Sequence, residues 1–185
     1  MEYIAIFIDG AYLQKISYQA SKTYRMDISK LVDWIAGDLP IRRVYYYDCL
    51  PYQSPQPIEE EKDRFSKKQK FFQALESFDR MEVRLGRLEK RGEDRAGNPL
   101  FSQKRVDLQM GLDFAFAALR QRISYAALLS GDSDLCPAIE AAKDEGVITR
   151  LVHGASGTYH NQLWGIVDER RELTASVLKE LELSK

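Results

Sequence analysis

Four short apolar runs constrain the fold of this chain more than any other feature. Tyr3 to Ile8, Val44 to Tyr47, Tyr125 to Leu129 and Val147 to Val152 are rich in β-branched and aromatic residues and are bounded by turn signals. Their apolar residues are largely consecutive, not alternating with polar ones, so each run needs cover on both faces. Strands of that kind belong to a parallel sheet packed between layers of helix. Candidate helices do fall between and after them, at 11–20, 27–37, 58–78, 106–121 and 134–145, with another near 170–182. The alternation predicts an α/β fold of three layers, a mainly parallel sheet with helices on either side.

A chain of 185 residues can bury a core of its own, and a single domain spanning 1–185 is expected. With 44% hydrophobic and 30% charged residues and a net charge of −1, the composition excludes a globally basic nucleic-acid binder but not a local basic surface. Cys49 and Cys136 form no paired spacing, so neither a zinc knuckle nor a dithiol motif is expected. Two distant cysteines suit a reducing compartment. The opening MEYIAIFIDG is too short in apolar residues for a signal peptide or a membrane span, and a cytoplasmic protein without membrane contact is expected. There is no Walker loop, no G-x-G-x-x-G and no G-x-S-x-G elbow.

Acids at strand ends carry the functional signal. In an open parallel sheet ligands bind outside the carboxyl ends of the strands, near the point where strand order reverses. Asp9 follows the strand YIAIFI, and Asp132 and Asp134 follow the strand YAALL in the stretch LLSGDSDLCP. Asp107 stands at the start of the strongly apolar helix after QKRV. Four acids from three segments can thus converge on one small volume. Clustered carboxylates repel one another and lose hydration, and a divalent cation with all-oxygen ligands offsets both costs. Mg²⁺ or Mn²⁺ suits such donors, keeps waters and recruits phosphates, which points to phosphodiester hydrolysis.

Each acid also has a simpler explanation. Asp9 before Gly10 can cap a helix, and Asp134 can do the same before LCPAIEAAK. Asp107 can complement the dipole of its own helix from the first turn. Asp113 lies six residues beyond Asp107, about 240° around the helix, and is expected to make a structural hydrogen bond elsewhere. Ser130 can hydrogen-bond a carboxylate or a phosphate within the site. His153 and His160 each stand alone and are expected to be neither ligands nor bases.

The segments IFIDGAYL, KRVDLQMGLDFAFAA and ALLSGDSDLCPAIEAAKDEGVITRLV, in this order, resemble the NYN-domain family of PIN-like nucleases, and LWGIVDERREL resembles its closing segment. The resemblance spans Ile6 to Val152 and beyond. It implies a PIN-like α/β/α sandwich and a Mg²⁺- or Mn²⁺-dependent ribonuclease. Asp9 matches the first-strand aspartate, Asp107 the helix-start aspartate and Asp132 that of the serine-glycine-aspartate segment, these three as metal ligands, with Asp134 assisting them in catalysis. Many members read aspartate-glycine-x-asparagine, whereas Tyr12 stands in the asparagine position here, its phenol able to donate to a phosphate. The family's lysine three residues before the helix aspartate matches Lys104. PIN-like domains frequently pair, so a homodimer is compatible with the resemblance.

RNA is the expected partner, and it needs cations near the acids. LGRLEKRGEDRAGNPLFS, from Leu85 to Ser102, is charged and turn-prone, and 85–105 is expected to form an exposed basic loop or hairpin. From Arg84 to Arg105 seven basic residues face three acids, and Lys104 and Arg105 lead directly into Asp107 as candidate phosphate contacts. An exposed Tyr47 or Tyr52 in VYYYDCLPY can stack on unpaired bases, while Tyr45 and Tyr46 are expected in the core. Phe65, Phe72, Leu75 and Phe78 are expected on the buried face of a lysine-rich helix. Two competing readings remain. One is a non-catalytic RNA-binding or regulatory module on the same fold. The other is a Toprim-like or haloacid-dehalogenase-like phosphotransferase, which lacks the strand-end glutamate or the first-strand D-x-D it requires.

Overall fold

The computed structural model describes residues 2–93, 99–120 and 122–183. Among them a seven-stranded sheet runs in the order β4-β3-β2-β1-β5-β6-β7. Its strands are β1 (Ile4–Asp9), β2 (Ile41–Cys49), β3 (Met81–Glu93), β4 (Pro99–Lys104), β5 (Tyr125–Leu129), β6 (Ile148–His153) and β7 (Glu169–Glu172). All neighbours pair parallel except β3 and β4, which form an antiparallel ladder from Arg87↔Lys104 to Glu93↔Pro99. The helices are α1 (Gly10–Ala20), α2 (Ile28–Ala36), α3 (Glu59–Glu76), α4 (Val106–Leu119), α5 (Cys136–Asp144), α6 (Asn161–Ile166) and α7 (Ala175–Glu180). None of the described helices is long and apolar enough to cross a membrane.

Two cores lie on opposite faces of the sheet, which is why its central strands are apolar throughout. Ile4, Ile6 and Ile8 point to one face, packing with Leu13 and Ile16 of α1, Leu31 and Ile35 of α2 and Phe72 of α3. Ala5 and Phe7 point to the other, with Met110 and Phe114 of α4, Ile139 of α5 and Leu163 of α6. This is the expected three-layer, PIN-like sandwich. At about 25 cal/mol per Å² of apolar surface removed from water, these two layers supply the main drive for folding. The tyrosine run follows the same alternation: Tyr46 meets Phe71 and Phe72 on the α3 side, while Tyr47 joins the α4 side.

Several expectations change. The segment near 170–182 is not one helix but β7 followed by α7, with Thr174 capping the latter through Val177 N at 3.4 Å. One further element, α6, stands where no element was expected, and β3 begins at Met81, before the stretch expected to form a loop or hairpin. The hairpin stretch comprises the far half of β3 and all of β4; Asp94, Arg95 and the Gly97-Asn98 turn signal lie outside the described residues. Tyr47 is fully buried and donates its hydroxyl to Asp113 at 2.9 Å, so it is no stacking platform. Tyr52 is half-buried and packs on Phe101, ring centroids 5.2 Å apart. Phe78 falls beyond α3 and is exposed.

Candidate active site

Strand order places the acids. The chain leaves β1 for β2, β3 and β4 on one side, then returns to β5, β6 and β7 on the other, so order reverses between β1 and β5. A crevice opens at the carboxyl ends of two strands related in this way. Ile8 pairs with Leu129, so the next residues, Asp9 and Ser130, stand side by side at that crevice.

Asp9 is held by both oxygens. Oδ1 accepts from Ala11 N at 3.0 Å and Tyr12 N at 3.1 Å, capping α1, while Oδ2 accepts from the Ser130 hydroxyl at 3.3 Å. Capping and site geometry are therefore one arrangement: the cap fixes the carboxylate and leaves its second oxygen toward the crevice. Burial pushes the Asp9 carboxyl above the usual carboxylate range, and the charge of Asp107 pushes it further. The amides of Tyr12 and Ala11 and the Ser130 hydroxyl oppose the rise without cancelling it.

Ser130 is fully buried and also accepts from Asp132 N at 3.3 Å. Its hydroxyl is thus committed to two acids, donating to the Asp9 side chain and accepting from the Asp132 backbone amide. Asp132 in turn accepts at Oδ1 from Asp134 N at 2.9 Å, so the cap of the following 3₁₀ turn (Ser133–Leu135) is Asp132, not Asp134. Asp134 is exposed at the rim. Asp107 lies in the first turn of α4 and is exposed. Its carboxyl is raised by partial loss of hydration and then by Asp132 and Asp134, which places all three within electrostatic reach. Asp107 and Asp134 also share the wall of one shallow cleft between α4 and α5.

The cationic candidates stand just before α4 and Asp107 in the chain. Lys104 ends β4 opposite Arg87, and the exposed Arg105 turns the chain into α4 with φ 75°, a left-handed conformation rare for a side-chain-bearing residue. Tyr12 differs from expectation. Its ring is buried, 6% exposed, and its hydroxyl pairs with Thr158 Oγ1 at 3.0 Å and accepts from Gly154 N at 3.2 Å. It fastens α1 to the loop after β6. His153 is buried against Tyr159, and His160 caps α6 through Gln162 N.

One acid escaped the sequence reading. Asp48, near the end of β2, is 5% exposed and pairs with Lys68 Nζ at 2.6 Å, while Oδ1 accepts from Cys49 N at 2.7 Å. The signal that could have found it is the one that found Asp9, an acid ending an apolar parallel strand.

The donor set suits a hard divalent cation. Asp9, Asp107 and Asp132 are carboxylates, two of them carry protons more readily because of burial and neighbouring negative charge, and a cation relieves both causes. Among the described residues no three acid, histidine or cysteine side chains close on a single point. An open arrangement is what Mg²⁺ tolerates, since it retains several waters and takes few protein ligands directly.

The NYN domain family matches residues 3–161. A solved structure of a protein of unknown function from Vibrio parahaemolyticus is similar in fold, with 16% identity and a TM-score of 0.65 over 98% of this chain and 96% of that one. No curated protein matches the chain.

Proposed function

The chain belongs to the NYN domain family, whose match covers residues 3–161, and from that membership and the placement of its acids we propose that it is a metal-dependent ribonuclease. The observation that carries the proposal is the crevice between β1 and β5, where Ser130 ties Asp9 to Asp132 and the charge of Asp107 is felt by Asp9.

Asp9, Asp107 and Asp132 would hold Mg²⁺ or Mn²⁺, with Asp134 at the rim assisting through water. Such an ion, when bound, lowers the pKa of water and offsets phosphate charge. The protein's own part is orientation. The amides at the start of α1 and the Ser130 hydroxyl fix Asp9, and the Asp134 amide fixes Asp132, so little reorganisation is needed when an RNA phosphate arrives. Lys104 and Arg105 supply positive charge for the backbone and for the charge that develops on the phosphate oxygens.

Incubation of mixed RNA with Mn²⁺ tests the proposal. Wild-type protein is expected to cleave, and Asp9→Asn and Asp132→Asn are each expected to abolish cleavage. Activity undiminished in either variant would defeat it. The open arrangement of the acids favours one second reading, an RNA-binding module without catalysis. RNA binding unaffected by EDTA, with no cleavage in any divalent metal, selects that reading.

A further inference from the structure

A groove of about 920 Å³ begins beside Asp9, on the β2 side of β1, and runs between α1 and α3. Its inner end is Gly10 and Asp48; a Cβ on Gly10 would sit 2.5 Å from Asp48 Oδ2, so the groove floor and the first strand-end acid are adjoining chain. Leu13, Tyr46, Phe71 and Leu88 give it apolar walls, and Arg25, Arg64, Lys67 and Lys68 bring cations to it. Of its acids, Asp48 is paired with Lys68 and Asp63 with Lys67, each at 2.6 Å, which leaves Glu60 to weigh against the two arginines.

Lys68 has three partners among its neighbours. It is gripped by the buried Asp48 carboxylate and stands over the rings of Phe71 and Phe72, 5.5 and 5.1 Å from their centroids, while its side chain stays 23% exposed. A cation fixed before any ligand arrives loses little freedom on binding a phosphate. Apolar walls with a fixed cation beside Asp48 match a nucleotide, its base against the walls and its phosphate on the lysine. The volume lies at the upper end of the range for pockets that bury a small ligand, about 300–1,000 Å³. A concave slot takes only bases that are free to leave a stack, which a duplex does not offer.

We infer that this groove receives the unpaired nucleotides of the substrate strand next to the bond cut at Asp9, with Lys68 contacting the phosphate nearest the acids. The inference rests on RNA being the substrate of those acids, and what it adds is the groove and the residues that hold the strand beside them.

Fluorescence anisotropy of a short, labelled, mixed-sequence single-stranded RNA, and of its duplex, measured in EDTA, reads the groove without any cleavage. Lys68→Ala would leave Asp48 buried and unpaired, so the exposed Gln14 and Arg64, both on the groove, carry the test. The single strand is expected to bind tighter than the duplex. Gln14→Trp, which fills the groove, and Arg64→Glu are each expected to weaken it by about tenfold, the worth of one stacked base. Equal affinity in wild type and both variants, a preference for duplex, or no RNA binding overturns the inference. Binding that depends on the groove without cleavage under Mn²⁺ supports the groove and removes the ribonuclease. Cleavage with groove-independent binding does the reverse.

Discussion

The Ser130 hydroxyl donates to Asp9 Oδ2 at 3.3 Å while accepting from Asp132 N at the same distance, so one buried oxygen sets the spacing of acids on two adjacent strands. Ser130→Ala keeps the fold, because the lost atom is small and the strand pairing is unaffected. Both acids lose their common reference. Removing such an outer partner costs about 10–100-fold in metal affinity or activity. Cleavage by Ser130→Ala is expected to fall in that range, with the Mn²⁺ midpoint moving upward. An unchanged midpoint and rate would show that the acids are oriented without it.

The raised carboxyls of Asp9 and Asp107 fix the direction of two pH effects. Folding raises the affinity of both for protons, so between the unfolded value and the higher folded value the native state binds more protons, and stability falls as pH rises through that window. Without metal, Asp9→Asn removes the charge but keeps an oxygen for the α1 amides. It is expected to raise Tm by a few degrees at neutral pH and by less at pH 4, measured by scanning calorimetry in EDTA. Activity requires the ionised forms, so protons compete with the metal, and the Mn²⁺ concentration that gives half-maximal cleavage is expected to rise as the pH falls.

Divalent cations act on the same charges with the opposite sign. A ligand that binds only the folded state at 100 times its Kd adds about 2.7 kcal/mol, or about 5–10 °C in a domain of this size. Mn²⁺ is expected to raise the wild-type Tm on that scale and to leave Asp9→Asn and Asp132→Asn nearly unmoved. Equal Mn²⁺ shifts in all three proteins would separate the ion from these acids.

The central strands were legible because burial on both faces leaves an unbroken apolar run. The outer ones were not: β7 reads ERRE, and β3 carries charge along much of its length, since each lies toward the border of the sheet with less cover. Six-residue α6 is too short to display a helical period. Asp9, Asp107, Asp132 and Asp134 could be placed on one edge from strand–helix order alone. The task of Ser130 could not, because it depends on the β1–β5 register, nor could that of Asp48, whose acid was masked by the tyrosines before it.

The packing of Tyr12 was hidden for a related reason: as the third residue of α1 it faces inward, and nothing in a linear sequence reveals the loop that meets it. Tyr12→Phe removes one hydroxyl that serves both Thr158 and Gly154 N. Leaving a buried amide unpaired costs about 1–3 kcal/mol. The variant is expected to lose that much stability in urea unfolding while cleaving at a near wild-type rate where it stays folded. A rate loss without a stability loss would return the phenol to the substrate.

Gly10 and Gly111 give a paired test of how closely Asp48 and Tyr46, on the groove, approach the first residue of α1. Both are helical, and Gly→Ala in a helix ordinarily gains about 0.5–1 kcal/mol. At Gly111 a Cβ meets only Ala138 and Leu135, each at 3.8 Å, so Gly111→Ala is expected to gain stability. At Gly10 it would press on Asp48 Oδ2 at 2.5 Å and on the Tyr46 ring at 2.8 Å. Neither can yield easily: the carboxylate is tied to Lys68 and Cys49 N, and the buried ring packs against both Phe71 and Phe72. Overpacking of this kind costs about 1–3 kcal/mol, more than the helix gains. Gly10→Ala is therefore expected to lower Tm and, by pushing Lys68 off its carboxylate, to weaken single-stranded RNA binding, whereas Gly111→Ala leaves binding unchanged. Equal stabilisation of both variants would mean that Asp48 and Tyr46 do not crowd the start of α1.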